Sequence, residues 1–410
     1  MTNKNNYEII INDASSDMGI PSYEGKYKHK PGEHFVYIPV SFIVSENRAY
    51  ICVTDSDAPT ERILDFSADE IRDTLRKTYL YHLLHFGKEL TPAKMTLRID
   101  GQEYIYDDTT SNFPFMFSML RVPSDFHLTS FAEELILKII KESKSMQFKK
   151  DEYACLYAFL GGLGKEHYND QFIYFWTAIN AYYNLIAKEY NTKLGVGLDA
   201  DATYQLLDEN DQKTIKRILS LGGDEKNMHA LSLLYSRDTT IKKARPTMLR
   251  NFDPNAVKDR RSDENFIIIT MSTWFCEWQQ WEDMLHSLKT LDANDEHLIS
   301  LKESIFDKLR FKHIDPYAWV TFKFPYIFRC NSFHGSRAYL AFAGYNEPEL
   351  KMVQGMCYAM RDFLNENIKN VFEKELLNED AYKKIRFMCA NYQNTQYESD
   401  AVQRFLKTLR

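Results

Sequence analysis

The stretch NDQFIYFWTAINAYYNLIAKEYN, residues 169 to 191, constrains the fold more than any other part of the chain. Read as a helix of about six turns, it carries large apolar side chains around most of its circumference instead of along one stripe. Such a helix cannot lie on a surface and is predicted to be the central member of a helical bundle, with Asn169 or Asp170 as its cap. The flanking sequence supplies the other members. SFAEELILKIIKESKS (130 to 145) predicts a connecting helix, and DEYACLYAFLGGLG (151 to 164) a helix that ends in glycines. ENFIIITMSTWFCEWQQWEDMLHSLKTL (264 to 291) predicts one long helix with Trp274, Trp278 and Trp281 on one face. A last long helix runs from Glu347 to about Leu376, followed by short helical segments.

The first hundred or so residues read differently. YEIII (7 to 11), HFVYIPVSFIV (34 to 44) and RAYICVTD (48 to 55) are rich in β-branched and aromatic residues, as strands are. In MTLRIDGQEYIY (95 to 106), Asp100-Gly101 supplies the positive φ angles of a tight hairpin. Between these strands SADEIRDTLRKTYLYHLLHFGKEL (67 to 90) has helical periodicity, with Ser67 as the cap and Glu70 three residues on. The fold class is therefore α+β: a small α+β module at 1–125, a larger all-α bundle at 126–376 and a C-terminal helical extension at 377–410. Two or three domains are the expectation for 410 residues. Residues 192–262 are more polar, with Gly195, Gly197, Gly222 and Gly223 breaking short amphipathic pieces, and they read as an insertion between core helices.

Charge narrows the function classes. The formal net charge of −7 provides no long-range basic field, so a nucleic-acid site must be a local patch in an acidic body. The best such patch lies between residues 242 and 261, where Lys242, Lys243, Arg245, Arg250, Lys258, Arg260 and Arg261 stand against Asp253 and Asp259. Its alternative is a solvated loop. The six cysteines are scattered without metal or redox spacing and read as reduced thiols of a cytoplasmic protein. MTNKNNYEIIIND has no apolar signal core, and FIIITM (266 to 271) is far too short to cross a bilayer, so no membrane association is expected.

YIFRCNSFHGSR, residues 326 to 337, is the segment with chemistry in it. Asp315-Pro316 opens its helix, Pro325 predicts a kink or break just before Tyr326, and Gly335 suits a helix C-cap. Arg329 and His334 are five residues apart, which places them roughly 140° apart around a straight helix. Spacing alone describes a basic helix terminus.

The intervening residues point further. FRCNSFHG resembles the arginine, four to six residues, histidine motif of HEPN-domain ribonucleases, especially Apea-like members whose motif reads approximately R-N-N-L-F-H-G. Arg329, Asn331, Phe333, His334 and Gly335 match residue for residue, while Cys330 stands where a polar residue is common and Ser332 replaces an apolar one. QFIYFWTAINAYYN (171 to 184) resembles the Apea-like helix in which a phenylalanine, a tryptophan and an acidic or amide residue form one row. Here the row is Phe172, Trp176 and Asn180. The resemblance covers mainly residues 150 to 376.

It implies an HEPN-type bundle and metal-independent RNA cleavage, in which a ribose 2′-hydroxyl attacks the neighbouring phosphorus and leaves a 2′,3′-cyclic phosphate and a 5′-hydroxyl. Histidine suits the proton transfer and arginine the phosphate, so His334 and Arg329 are the implied catalytic pair. Asn331 is the candidate for orienting His334 or a phosphate, with Ser332 and Asn180 in support. HEPN motifs usually meet across a two-fold axis, so a homodimer is part of the expectation. RNA is the implied partner, no cofactor or metal is called for, and bacterial anti-phage or toxin-like defence is the implied setting. The N-terminal module would sense an unidentified trigger or restrain the nuclease. The alternatives are a noncatalytic HEPN module that binds nucleotide or RNA or dimerises, and a scaffold that binds another protein.

Other signals carry less. GGLGK (161 to 165) resembles a phosphate loop but follows a helix and has Glu166 where serine or threonine is needed. His82 and His85 lie three apart without further ligands and read as packing. The tryptophan stripe reads as core, or as a dimer seam. Ser336 stands where some HEPN toxins carry a modified tyrosine, and Tyr339 is too distant to replace it.

Overall fold

The computed structural model describes residues 4–14, 22–27, 36–107, 122–123, 126–142, 151–237, 260–308, 315–333, 346–373, 376–391 and 399–409. They divide into two compact units, Met1–Tyr153 with Leu160–Lys165, and Ala154–Phe159 with Glu166–Arg410. The α+β class holds: among the described residues strands are confined to the first unit, and the second is helical.

In the first unit six antiparallel strands, β1 (Asn5–Ile11), β2 (Ser22–Tyr27), β3 (Val36–Ser45), β4 (Arg48–Ser56), β5 (Lys94–Ile99) and β6 (Gln102–Asp107), are ordered β2-β3-β4-β1-β5-β6. Period-two alternation buries Tyr7, Ile9 and Ile11 of β1, Ile51 and Val53 of β4, and Leu97 and Ile99 of β5. The β5–β6 hairpin turns at Asp100 and Gly101, with φ of 47° and 89°, as the Asp-Gly pair predicts. After a short helix α1 (Thr60–Leu64), α2 (Asp69–Phe86) packs on the sheet, with Tyr81 set edge-on to Phe42. Its cap differs from the expectation. Ala68 occupies the cap position, and Glu70 is instead buried, accepting from the Ser56 hydroxyl at 2.8 Å. Helix α3 (Glu133–Glu142) packs on α2, so the compact division falls at Tyr153 instead of near residue 125.

Helix α4 (Asp151–Leu163) precedes α5 (Tyr168–Asp199), the centre of the second unit. Helix α5 is 32 residues long and runs through Gly195 and Gly197, which the sequence reading took as breaks. Leu194 and Leu198 are buried beside them, and that burial offsets the roughly 1 kcal/mol that each glycine costs a helix. The cap is His167, without a side-chain hydrogen bond, and neither Asn169 nor Asp170. Short helices α6 (Ala202–Gln205), α7 (Glu209–Leu219) and α8 (Asp224–Leu234) follow. Helix α8 lies against α5 with Met228, Ala230 and Leu231 buried, so this part of the expected insertion belongs to the core.

The tryptophan run forms two helices, α9 (Arg260–Cys276) and α10 (Trp281–Thr290), and not one. Trp278 falls in the break, buried beside Trp274 at 5.7 Å and His297 at 4.2 Å between ring centroids. Helix α11 (Glu296–Leu301) continues into a π-helical turn, Lys302–Asp307. Then α12 (Pro316–Ala318), a second π-helical turn (Trp319–Lys323) and α13 (Phe324–Phe333) form a continuous run. Helix α14 (Glu347–Asn367) packs on α5 and α9 and ends earlier than Leu376. The chain continues through α15 (Asn370–Glu373), α16 (Glu379–Asn391) and α17 (Asp400–Thr408). Among the described residues no helix is long and apolar enough to cross a membrane, and all six cysteines are free thiols.

Candidate functional site

The run that carries Arg329 starts where Asp315 accepts from the Ala318 amide at 2.8 Å, with Pro316 at the first helical position. Pro325 does not break it. Proline has no N–H for the carbonyl four residues back, and the helix takes up this mismatch in the wide turn just ahead, Trp319–Lys323. Helix α13 then buries Phe324, Ile327 and Phe328 and leaves Tyr326, Arg329 and Cys330 half-buried.

Two members of the α5 row face this helix. Phe172 meets Phe328 edge to face at 5.1 Å, and Trp176 lies 6.1 Å from the Tyr326 ring. Edge-to-face pairs of this type contribute about 1 kcal/mol beyond the area they bury. The third member, Asn180, accepts from Asn184 Nδ2 at 2.8 Å, and Asn184 Oδ1 accepts from Asn227 Nδ2 of α8 at 3.2 Å. Among the described hydrogen bonds Asn180 thus leads towards α8 and not to the guanidinium.

Helix α8 supplies the acidic side. Gly223 precedes it with φ of 77°, a backbone that would strain any L side chain, and sets Asp224 and Glu225 in the first turn. Arg329 Nη2 lies 3.9 Å from Asp224 Oδ2, with the two side chains 25% and 42% exposed. This is a loose ion pair beyond hydrogen-bond distance. Burial, then the Asp224 carboxylate, push the Tyr183 phenol well above its ordinary value, with Arg329 opposing. Burial, Cys330 and the two carboxylates push Tyr326 up likewise. Among the described residues the buried Trp176 Nε1 and Asn227 Oδ1 make no hydrogen bond. His229, further along α8, is held neutral: burial lowers it well below its ordinary value, and Lys323 adds to this.

Arg329, Phe172, Trp176 and Asn180 are therefore gathered around the junction of α5, α8 and α13. Asn331 and Ser332 lie in the last residues of α13. His334 and Gly335 fall outside the described residues, as do Lys242, Lys243, Arg245, Arg250 and Lys258 of the basic patch, while Arg260 and Arg261 open α9. Sequence reasoning missed Tyr183, Asp224, Tyr326 and Asn227. Gly-Gly-Asp-Glu at 222 to 225 is a helix start by composition, but nothing local in it points to Arg329. His82 is a structural histidine, with Nδ1 2.9 Å from the Lys88 carbonyl and Nε2 2.9 Å from that of Glu46. Comparison with protein-family models, curated proteins and solved structures gave no match to this chain.

Proposed function

We propose that this chain is a metal-independent endoribonuclease of HEPN type, active in the cytoplasm as a homodimer and serving bacterial anti-phage or toxin-like defence. One observation carries the reading. The two segments that resemble HEPN proteins, far apart in sequence, pack together through Phe172–Phe328 and Trp176–Tyr326 and leave Arg329 half-buried beside a polar cluster.

In the proposed reaction the ribose 2′-oxygen bonds to phosphorus as the bond from phosphorus to the 5′-oxygen breaks. A base takes the 2′ proton and an acid returns one to the leaving oxygen. His334 is assigned to proton transfer and Arg329 to the phosphate oxygens, where a guanidinium binds two at once. The test is RNA cleavage in excess chelator by wild type, Arg329→Ala and His334→Ala. Wild type should yield 2′,3′-cyclic phosphate and 5′-hydroxyl ends, and each variant should lose about 100-fold or more. Equal activity in all three eliminates the site.

A second reading, a noncatalytic HEPN module that binds RNA or nucleotide, draws on the Arg329–Asp224 pair, which already gives the guanidinium a carboxylate partner. RNA affinity without turnover would favour it.

A further inference from the structure

We propose that Asp224 is an internal competitor for phosphate: it neutralises Arg329 at rest, and an RNA phosphodiester must displace it to bind. The proposal rests on the ribonuclease reading and adds regulation of that same site.

Three features converge on it. The contact is loose, 3.9 Å with both groups partly exposed, so a phosphate oxygen can approach the guanidinium more closely than this carboxylate does. Its place suits an anion, because Gly223 sets Asp224 in the first turn of α8, where the helix dipole favours negative charge. Glu225 follows it, so two carboxylates stand at the helix start that faces one guanidinium, and the local field opposes a phosphate until the arginine is released. The buried Asn227 Oδ1, about one turn further along the same helix, makes no hydrogen bond among the described residues and is a further, independent sign of a site still short of polar partners.

The experiment measures kcat and KM for RNA cleavage by wild type, Asp224→Asn, Asp224→Glu and Glu225→Gln, with Asp224→Asn repeated in the Arg329→Ala background. Asp224→Asn should lower KM about twofold to fivefold at low salt, with the change concentrated in KM. The gain should shrink as ionic strength rises. Asp224→Glu keeps the charge and should stay near wild type; Glu225→Gln should give a smaller gain. Asp224→Ser, also suited to a helix start, replaces the asparagine variant if that folds poorly. Cleavage that depends on Arg329 while Asp224→Asn leaves KM unchanged or raises it overturns the inference and spares the ribonuclease reading. An equal KM shift in the Arg329→Ala background overturns it as well, by showing a general charge effect. Absence of Arg329-dependent cleavage in every protein removes the reading itself, and the inference with it.

Discussion

Asp73 and Asp224 each stand beside an arginine, in different units, and the contrast between them separates a charge that holds the fold from one that is available for work. Asp73 on α2 is met by Arg76 at 2.8 Å and Lys77 at 3.0 Å, with no side chain in the group more than 15% exposed. Asp224 meets Arg329 at 3.9 Å with 42% of its side chain exposed. A buried charge that loses its partner is left without solvent to replace it, whereas a half-exposed one is compensated by water and salt. Lys289 lies between these extremes, bonded to Asp362 at 2.6 Å and to Glu366 at 2.7 Å with its side chain 24% exposed.

The series predicts an order of effects. Asp73→Ala should cost the most, about 3–5 kcal/mol in denaturant unfolding, because it removes the carboxylate that opposes the cost of burying the Lys77 charge, whose pKa burial already lowers. A loss below about 1 kcal/mol would break the contrast. Lys289→Met should cost about 1–2 kcal/mol and should do so unevenly with pH. Burial already raises the Asp362 pKa against the opposing pull of Lys289, and removing the lysine raises it further. The folded state then holds a proton that the unfolded state has released, so stability falls as pH rises from the ordinary carboxylate range through the raised value. The variant should be closest to wild type at the acidic end of that window; melting curves across it would detect a reversed slope. Asp224→Asn should have the smallest effect, less than about 1 kcal/mol, and added salt should erase it. A cost as large as that of Asp73→Ala would mean that Asp224 is structural.

The same distinction explains what was legible in the sequence. Asp100-Gly101 and Asp315-Pro316 were readable because their chemistry is local: a turn and a cap depend on residues within a few positions. The central burial of α5 was readable from its circumference of apolar residues. Gly195 and Gly197 misled because packing of Leu194 and Leu198 overrides a weak local preference. The break after Cys276 contains no glycine or proline and comes from the burial of Trp278 against Trp274 and His297. Of the candidate site, the aromatic row and Arg329 were legible from spacing and resemblance. Asp224 and Tyr183 were not, because a pairing between helices so distant in sequence leaves no period to read.

The π-helical turn at Trp319–Lys323 has a consequence for evolution and for engineering alike. A wide turn accommodates about one residue more than an ordinary one, and one residue is worth about 100° of helical rotation. The compass bearing of Arg329 is therefore set upstream, at Trp319–Lys323, by how many residues that turn absorbs. Deleting one residue from it would leave the composition of α13 intact and swing the guanidinium away from α8, so a single indel there can retire or restore the site without touching any of its side chains.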